Sequence, residues 1–472
     1  MSLDLSGWID TLHDQRWFGH KGRRISGIDV LDQGRLDDGE EPLILAIVTV
    51  RFEDGGEVLY HLPVVVGDDG SARDAIGEVE RLKIIGDLLA HGQPVKGEKG
   101  VFHFSGPGLD PSAPLGSSSI RAMDAEQSNT SVVFDEAVIL KFFRKVEMGP
   151  NPDLEITRLL TNEGFKHIPA QVGEIFYEGD ENDPAEIDLG IAQHFIEGAR
   201  EGWTFVLEHL PRLFNEVHAE DATEDYSLLT EERSGDLLAA IEQLGEATAE
   251  LHVVLAKEGS EPDIHPEPIE GTDLAEWAGQ SRKTLRELAR NMPEIAAVEA
   301  SIAERIDSIT TLTPDGLKIR THGDYHLGQV LRRPRQWLIL DFEGEPARSL
   351  EERRKKQSPL RDVAGMVRSF SYAAYASLFA RSEPDDDEWK RLEPWALTWD
   401  ALARDRFLSA YLSKSHEGRF LPADRDELLM LLDFFELDKA LYEVGYERGH
   451  RPGWTRIPLK GIAQVMARET TR

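Results

Sequence analysis

The stretch Thr321-His322-Gly323-Asp324-Tyr325-His326-Leu327-Gly328-Gln329, followed by Ile339-Leu340-Asp341-Phe342-Glu343-Gly344, constrains this chain more than any other feature. A carboxylate at Asp324 is followed five positions later by the amide of Gln329, and a second carboxylate, Asp341, closes the apolar run Trp337 to Leu340. Val330-Leu331-Arg332 and Gln336 to Leu340 flank Arg333-Pro334-Arg335, the pattern of a loop feeding a hairpin. Three oxygen-bearing side chains are therefore expected at one hairpin mouth. The spacing suits phosphoryl transfer, in which one acid orients and deprotonates a hydroxyl while an amide oxygen and a second acid hold magnesium. A lone Asp in a turn is usually a turn residue, and Asp-Phe-Glu is common by chance. The reading rests on the fragments occurring together.

His-Gly-Asp, an amide at the fifth place and a strand ending in Asp-Phe resemble the aminoglycoside- and choline-kinase-like branch of the protein-kinase fold. The longer strings HGDYHLGQVL and LILDFEGEPARSLEERRKKQSPLRDVAGMVRSF more specifically resemble the maltokinases, bacterial enzymes that phosphorylate maltose at its anomeric hydroxyl. The resemblance implies an α+β, bilobal kinase-like fold. Its parts would be an N-terminal α/β cap at 1–95, an N-lobe at 96–200, and a mostly helical C-lobe at 201–472 with the catalytic loop and sugar site. Gln329 departs from the Asn commoner in the wider kinase group; the longer amide shifts the metal or its bridging water.

Composition narrows the partners. The formal charge of −34, from 53 basic and 87 acidic residues, repels nucleic acid and anionic membrane. No apolar run approaches a membrane span, and Met1 to Gly7 has neither the basic nor the apolar region of a secretory signal. The absence of cysteine excludes disulfides and thiolate metal sites. A cytoplasmic enzyme is the expectation. ATP, itself an anion, needs local compensation from Mg²⁺, a lysine and backbone N–H groups.

Along the chain, Leu3 to Asp14 reads as a short helix. The runs Leu43 to Val50 and Val58 to Val66, joined by Glu53-Asp54-Gly55-Gly56, read as a hairpin. Arg73 to His91 reads as a helix with Ile76, Val79, Leu82, Ile85 and Leu88 recurring at threes. Nothing here has catalytic spacing. After the Gly/Pro/Ser-rich Ser105 to Ser119, the loop Glu126-Gln127-Ser128-Asn129-Thr130-Ser131 precedes two short strands. It carries no glycine, so phosphate cradling would fall to backbone amides and to Ser128, Thr130 and Ser131, with Asn129 among them.

Lys141 interrupts the apolar run Ile139 to Phe143, and a charge there needs a partner. Asn151-Pro152-Asp153-Leu154-Glu155 has a cap, a proline at the first helical position and acids in the first turn. The maltokinases have a similar Asn-Pro-Asp-x-Glu element, which implies a Lys141–Glu155 pair on the ATP phosphates. Gln193, His194, Phe195 and Ile196 are candidates for the adenine-facing crossover. From Trp203 the chain is mostly helical. Leu237, Ile241, Leu244, Thr248 and Leu251 form one buried stripe that His252 closes as a core residue. Asp362 opens a further helix, and in kinase-like folds the acid at this place braces the catalytic loop; it and His322 read as structural.

Near the C-terminus Tyr442, Glu443, Tyr446 and Trp454, with Tyr325, Tyr372 and Tyr375 upstream, supply flat faces and polar groups suited to a sugar. For most of them a core helix with surface ion pairs is the alternative. The string ALYEVGYE…RPGW…IPLKGI also resembles the end of maltokinases.

The expected activity is ATP:maltose 1-phosphotransfer, supplying maltose 1-phosphate for α-glucan synthesis. Asp324 would orient the acceptor hydroxyl, Gln329 and Asp341 would hold Mg²⁺ with Glu343 assisting, and Lys141 would neutralise phosphate charge. The alternatives are a kinase of the same fold acting on glucosamine, an aminoglycoside or choline, a non-catalytic sugar-binding scaffold, and a protein kinase. The resemblance also implies a link to trehalose synthase, in a complex or a pathway, which no residue shows.

Overall fold

The computed structural model describes every residue except 1, 2, 6, 69, 114, 124–127, 181–183, 218–224, 259–262, 314, 347, 385 and 469–472. The chain divides into two compact units, Met1–Gly198 with Pro346–Leu350, and Ala199–Glu345 with Glu351–Arg472.

The first unit contains two antiparallel sheets. In the smaller, Leu43–Phe52 lies between Ile25–Arg35 and Glu57–Val66, and the short strands Ala72–Asp74 and Lys145–Val146 pair with Glu57–Val66. The first six residues of Leu43–Phe52, 43–48, form a continuous apolar run because both faces are covered there. Leu43, Leu45 and Ile47 join one core with Phe102, Phe134 and Phe142 of the larger sheet, while Ile44, Ala46 and Val48 pack with Trp8, Trp17 and Phe18. The segment expected as one helix over 73–91 is a 3₁₀ helix at Ala75–Leu82 followed by an α-helix at Lys83–His91. The 3₁₀ segment is itself broken at Glu78, with φ −128° and ψ 54°, and Ile76, Val79 and Leu82 reach the same core from the two sides of that break.

The larger sheet runs Val95–Lys96, Val101–Ser105, Gln171–Glu178, Glu186–His194, Val138–Phe143, Asn129–Phe134, Ile120–Ala122. Two buried charges tie the sheets together. Asp32, 1% exposed, accepts from the N–H groups of Gln33, Glu98 and Gly100 at 2.7–2.8 Å and from the Tyr177 hydroxyl at 2.9 Å. Burial opposes its ionisation, but these donors hold its pKa below the usual carboxylate value. Arg144, fully buried, donates to both oxygens of Asp74 at 3.0 and 2.8 Å and to Thr130 Oγ1 at 2.9 Å.

The second unit is helical around a small sheet of Arg200–Glu201, Val330–Arg333 and Gln336–Ile339. Its longest helices, Tyr226–Leu255 and Asp387–Ser415, approach so closely that a Cβ on Gly245 would lie 2.3 Å from the Phe407 carbonyl oxygen. Helices Leu360–Phe379, Arg425–His450 and Arg456–Ala467 pack together beside the loop that carries Asp324. No helix among the described residues is long and apolar enough to cross a membrane.

Candidate active site

In the first unit Lys141 sits on the Val138–Phe143 strand, opposite Ser131 on one side and Ile191 on the other. Alternation leaves Ile139 and Lys141 on the less covered face. The ammonium pairs with Asp153 at 3.1 Å, two residues before the Glu155 to which the sequence pointed. Asp153 is 3% exposed in the first turn of Pro152–Asn162, where the Asn151 side chain caps its N–H at 2.8 Å; Glu155 is buried in the same turn. The sequence reading passed over Asp153, although it stands in the quoted motif.

The residues expected to cradle phosphate lie at and beyond the start of one strand. Asn129, Thr130 and Ser131 are buried residues of the Asn129–Phe134 strand, and Thr130 is engaged by Arg144. Ser128, at the strand's entry, is exposed, and Glu126 and Gln127 lie outside the described residues. At the end of the Glu186–His194 strand, Gln193 donates to the Pro169 carbonyl at 3.0 Å, and the Phe195 N–H donates to the Ala137 carbonyl at 2.7 Å.

In the second unit the hairpin sets the geometry. Val330 pairs with Ile339 at its base, so Gln329 and Leu340 are adjacent, and the Leu340 N–H donates to the Gln329 carbonyl at 2.9 Å. The next residue, Asp341, accepts from Gln329 Nε2 at 3.1 Å. Twelve residues of sequence thus collapse into one side-chain contact. Asp341 holds φ 63°, a left-handed conformation uncommon for a residue other than glycine.

His322 joins the Asp324 loop to this hairpin. Its Nε2 meets the Leu340 carbonyl at 2.8 Å, and a carbonyl only accepts, so Nε2 carries the proton and Nδ1 can accept the Asp324 N–H at 3.4 Å. Asp362, 2% exposed, braces the same loop through the N–H groups of His322 at 2.8 Å and Gly323 at 3.0 Å. His252 Nε2 lies 3.2 Å from Asp362, and its Nδ1 lies 2.9 Å from the Tyr411 hydroxyl. Burial works to raise the Asp362 pKa; the His252 hydrogen bond and charge and the Gly323 N–H hold it below the ordinary value. Gly323 has φ 82°, and a Cβ there would lie 3.1 Å from the Gly344 Cα.

Asp324 is left a quarter exposed, with Lys439 Nζ 3.8 Å from one oxygen and His326 Nε2 3.8 Å from the other. The sequence places Lys439 on the periodic helix face with Tyr442 and Tyr446 but gives neither it nor His326 a role at Asp324. Lys439 lies one helical turn before Tyr442, and that spacing is the signal that could have found it.

The expected sugar contacts need the most correction. Tyr325 is 3% exposed, and its hydroxyl is bound to Thr248 at 2.8 Å. Glu443 is buried in an ion pair with Arg368, which donates from Nε at 3.0 Å. Tyr372 is 9% exposed, and Tyr375 is buried with its hydroxyl on Glu393 at 3.1 Å. Trp454 stacks on Phe379 at 5.5 Å and has Arg451 4.3 Å above its ring. Tyr442 and Tyr446 are exposed at 41% and 45%, on the helix face that continues from Lys439.

Asp341, Gln329 and Glu343, the residues expected to hold Mg²⁺, can each offer an oxygen, the atom type that suits this ion. Gln329 presents its nitrogen to Asp341 here, so its amide must turn over to offer oxygen.

Residues 12–89 match the maltokinase N-terminal cap domain, and residues 206–395 match the phosphotransferase enzyme family. The chain is 26% identical to a glucosamine kinase of Mycolicibacterium smegmatis over 361 residues, covering 74% of this chain and 80% of the relative. It is 26% identical to a glucosamine kinase of Streptacidiphilus jiangxiensis over 428 residues, covering 88% and 82%. A solved glucosamine kinase in complex with glucosamine, ADP and inorganic phosphate superposes with a TM-score of 0.69 at 21% identity, over 98% of this chain and all of that one. The chain is a kinase-type phosphotransferase with a kinase-like fold and a maltokinase-type N-terminal cap.

Proposed function

We propose that this chain transfers the γ-phosphoryl group of ATP to the anomeric hydroxyl of maltose. The γ-phosphorus bond to the β-bridging oxygen breaks, a bond to the sugar oxygen forms, and the hydroxyl proton passes to Asp324 as ADP leaves. Sugar hydroxyls are poor acids, so most of the contribution of Asp324 is orientation of the attacking oxygen. Gln329, Asp341 and Glu343 would hold Mg²⁺, which neutralises phosphate charge when bound. Lys141, fixed by Asp153, adds positive charge for the nucleotide.

The observation that carries the reading is the hairpin base. Gln329 and Asp341 touch there, and the loop bearing Asp324 is tied to the same place by His322 and Asp362. The maltokinase-type cap at 12–89 supports maltose as acceptor. The glucosamine kinases at 26% identity support a second reading, an amino sugar. A role beside trehalose synthase rests on the maltokinase resemblance alone. The test is incubation with ATP, Mg²⁺ and a panel of maltose, glucosamine, an aminoglycoside and choline, with NMR identification of the phosphorylated position. Phosphate on C1 of maltose is expected; exclusive use of an amine refutes maltose, and transfer to none refutes the kinase.

A further inference from the structure

Each oxygen of Asp324 faces a nitrogen at 3.8 Å, Lys439 Nζ on one side and His326 Nε2 on the other. Both separations exceed a direct hydrogen bond, so the carboxylate keeps capacity for the acceptor. The two neighbours differ in charge. His326 Nδ1 accepts the Gly328 N–H at 3.0 Å, so the ring proton belongs on Nε2 and the imidazole is a neutral donor. Lys439 is a cation with its side chain 32% exposed, and its Nζ lies 5.1 Å from the centre of the Tyr442 ring.

An ammonium on the acceptor would need a carboxylate of its own. The acids flanking Lys439 on the Arg425–His450 helix are taken. Glu436 pairs with Arg404 at 2.6 Å and Arg468 at 2.8 Å, Glu443 with Arg368 at 2.9 Å, and Glu447 with Arg451 at 2.6 Å. Each of these three acids is matched by arginine, Asp438 beside Lys439 lies 3.6 Å from Arg361 and accepts from Ser281, and among the described ion pairs Lys439 is the charge of this helix that meets Asp324.

We infer that Lys439 determines acceptor specificity in the proposed sugar kinase, selecting neutral sugars over amino sugars. The chemistry is a matter of donors and acceptors. A hydroxyl can donate to Asp324 and accept from Lys439 at once, whereas an ammonium only donates and is repelled. An acceptor ammonium about 4 Å from Lys439 would be opposed by about fivefold in water-like surroundings and about a thousandfold at the effective dielectric near a protein surface, while the Asp324 carboxylate attracts the same ammonium, so the contribution of Lys439 is read from how the ratio changes when Lys439 is replaced. The selection therefore opposes the amino-sugar alternative at the residue that handles the reacting hydroxyl.

Glucose and glucosamine differ only by hydroxyl against ammonium at C2, so they form the test pair. Inhibition constants of both against the phosphorylated acceptor are measured for the full chain and for Lys439→Met, Lys439→Glu and Lys439→Arg, each checked for folding by circular dichroism. The wild type is expected to favour glucose by about tenfold or more. Lys439→Met should cut that ratio at least severalfold, Lys439→Glu should reverse it, and Lys439→Arg should preserve it. A wild-type preference for glucosamine, or a ratio unmoved in the Met and Glu variants, overturns the inference while leaving a sugar kinase intact. Transfer to no sugar overturns the proposed function, and this inference with it.

Discussion

Asp362→Asn tests whether the catalytic loop is held from behind. Asp362 receives three donors: His322 N–H at 2.8 Å and His252 Nε2 at 3.2 Å on one oxygen, and Gly323 N–H at 3.0 Å on the other. An amide keeps one oxygen. Placed on the His322 side, it turns its NH₂ toward the Gly323 N–H, donor against donor, at a site 2% exposed. The loss is one charge-assisted hydrogen bond, about 1.5–3 kcal/mol, plus about 1–3 kcal/mol for a buried unsatisfied N–H. The sum, about 2.5–6 kcal/mol, is a large part of the 5–15 kcal/mol typical of folded proteins. Gly323 adjoins Asp324, so a loop displaced by about 1 Å should also lower kcat by about a hundredfold. Urea titration measures the first effect and initial rates at saturating ATP measure the second. A variant within about 1 kcal/mol of wild type with unchanged kcat would show that the loop holds its shape without the brace.

The other predictions separate chemistry from architecture. Asp324→Ala should reduce turnover below about a hundredth with little change in the urea midpoint; full activity would remove the proposed role. Tyr325→Phe deletes a hydroxyl bound only to Thr248 among the hydrogen bonds described, so stability should fall by about 1 kcal/mol with acceptor KM unchanged, and a raised KM would restore Tyr325 to the sugar site. Asp400, buried and bonded to Ser371, has its pKa pushed up from 3.8 to about 6 by burial. The folded state then binds the extra proton between those values, so the acid destabilises increasingly as pH rises through that window. Asp400→Asn should be more stable than wild type by about 3 kcal/mol at pH 8 and by only about 1 kcal/mol at pH 4.5. An advantage independent of pH would contradict that sign.

Spacing made the hairpin legible. A strand, a turn at Pro334-Arg335 and a second strand must return Asp341 to Gln329, and no tertiary knowledge is needed for that. The apolar run beginning at Leu43 likewise marked a strand of a hairpin, while its coverage on both faces emerges only from the packing. Side-chain partners were not legible. Glu443 and Tyr446 lie three positions apart on one helix, yet one is buried on Arg368 and the other faces solvent. Helical periodicity indicates which residues share a face, but not which face a neighbouring helix will cover. The same limit hid Asp153. Asn-Pro-Asp-x-Glu predicted a capped helix with two acids in its first turn, and only the orientation of that turn against the Lys141 strand brings Asp153 to the ammonium.

The loop's shape is imposed from outside. Gly323 and Asp341 both hold positive φ, 82° and 63°, and for Asp341 that conformation costs about 1–3 kcal/mol. The cost is sustained because its flanks are fixed independently: Leu340 by the Gln329 carbonyl and by His322, and the Asp341 carboxylate by the Gln329 amide. These restraints converge on the acid proposed to hold the metal, and the backbone part of them, through Leu340 and His322, persists when the Gln329 amide turns over to the metal. His322, with one nitrogen on the Leu340 carbonyl and the other toward the Asp324 N–H, carries the position of one proposed acid to the other. That coupling accounts for a buried histidine in the motif more economically than any chemical step.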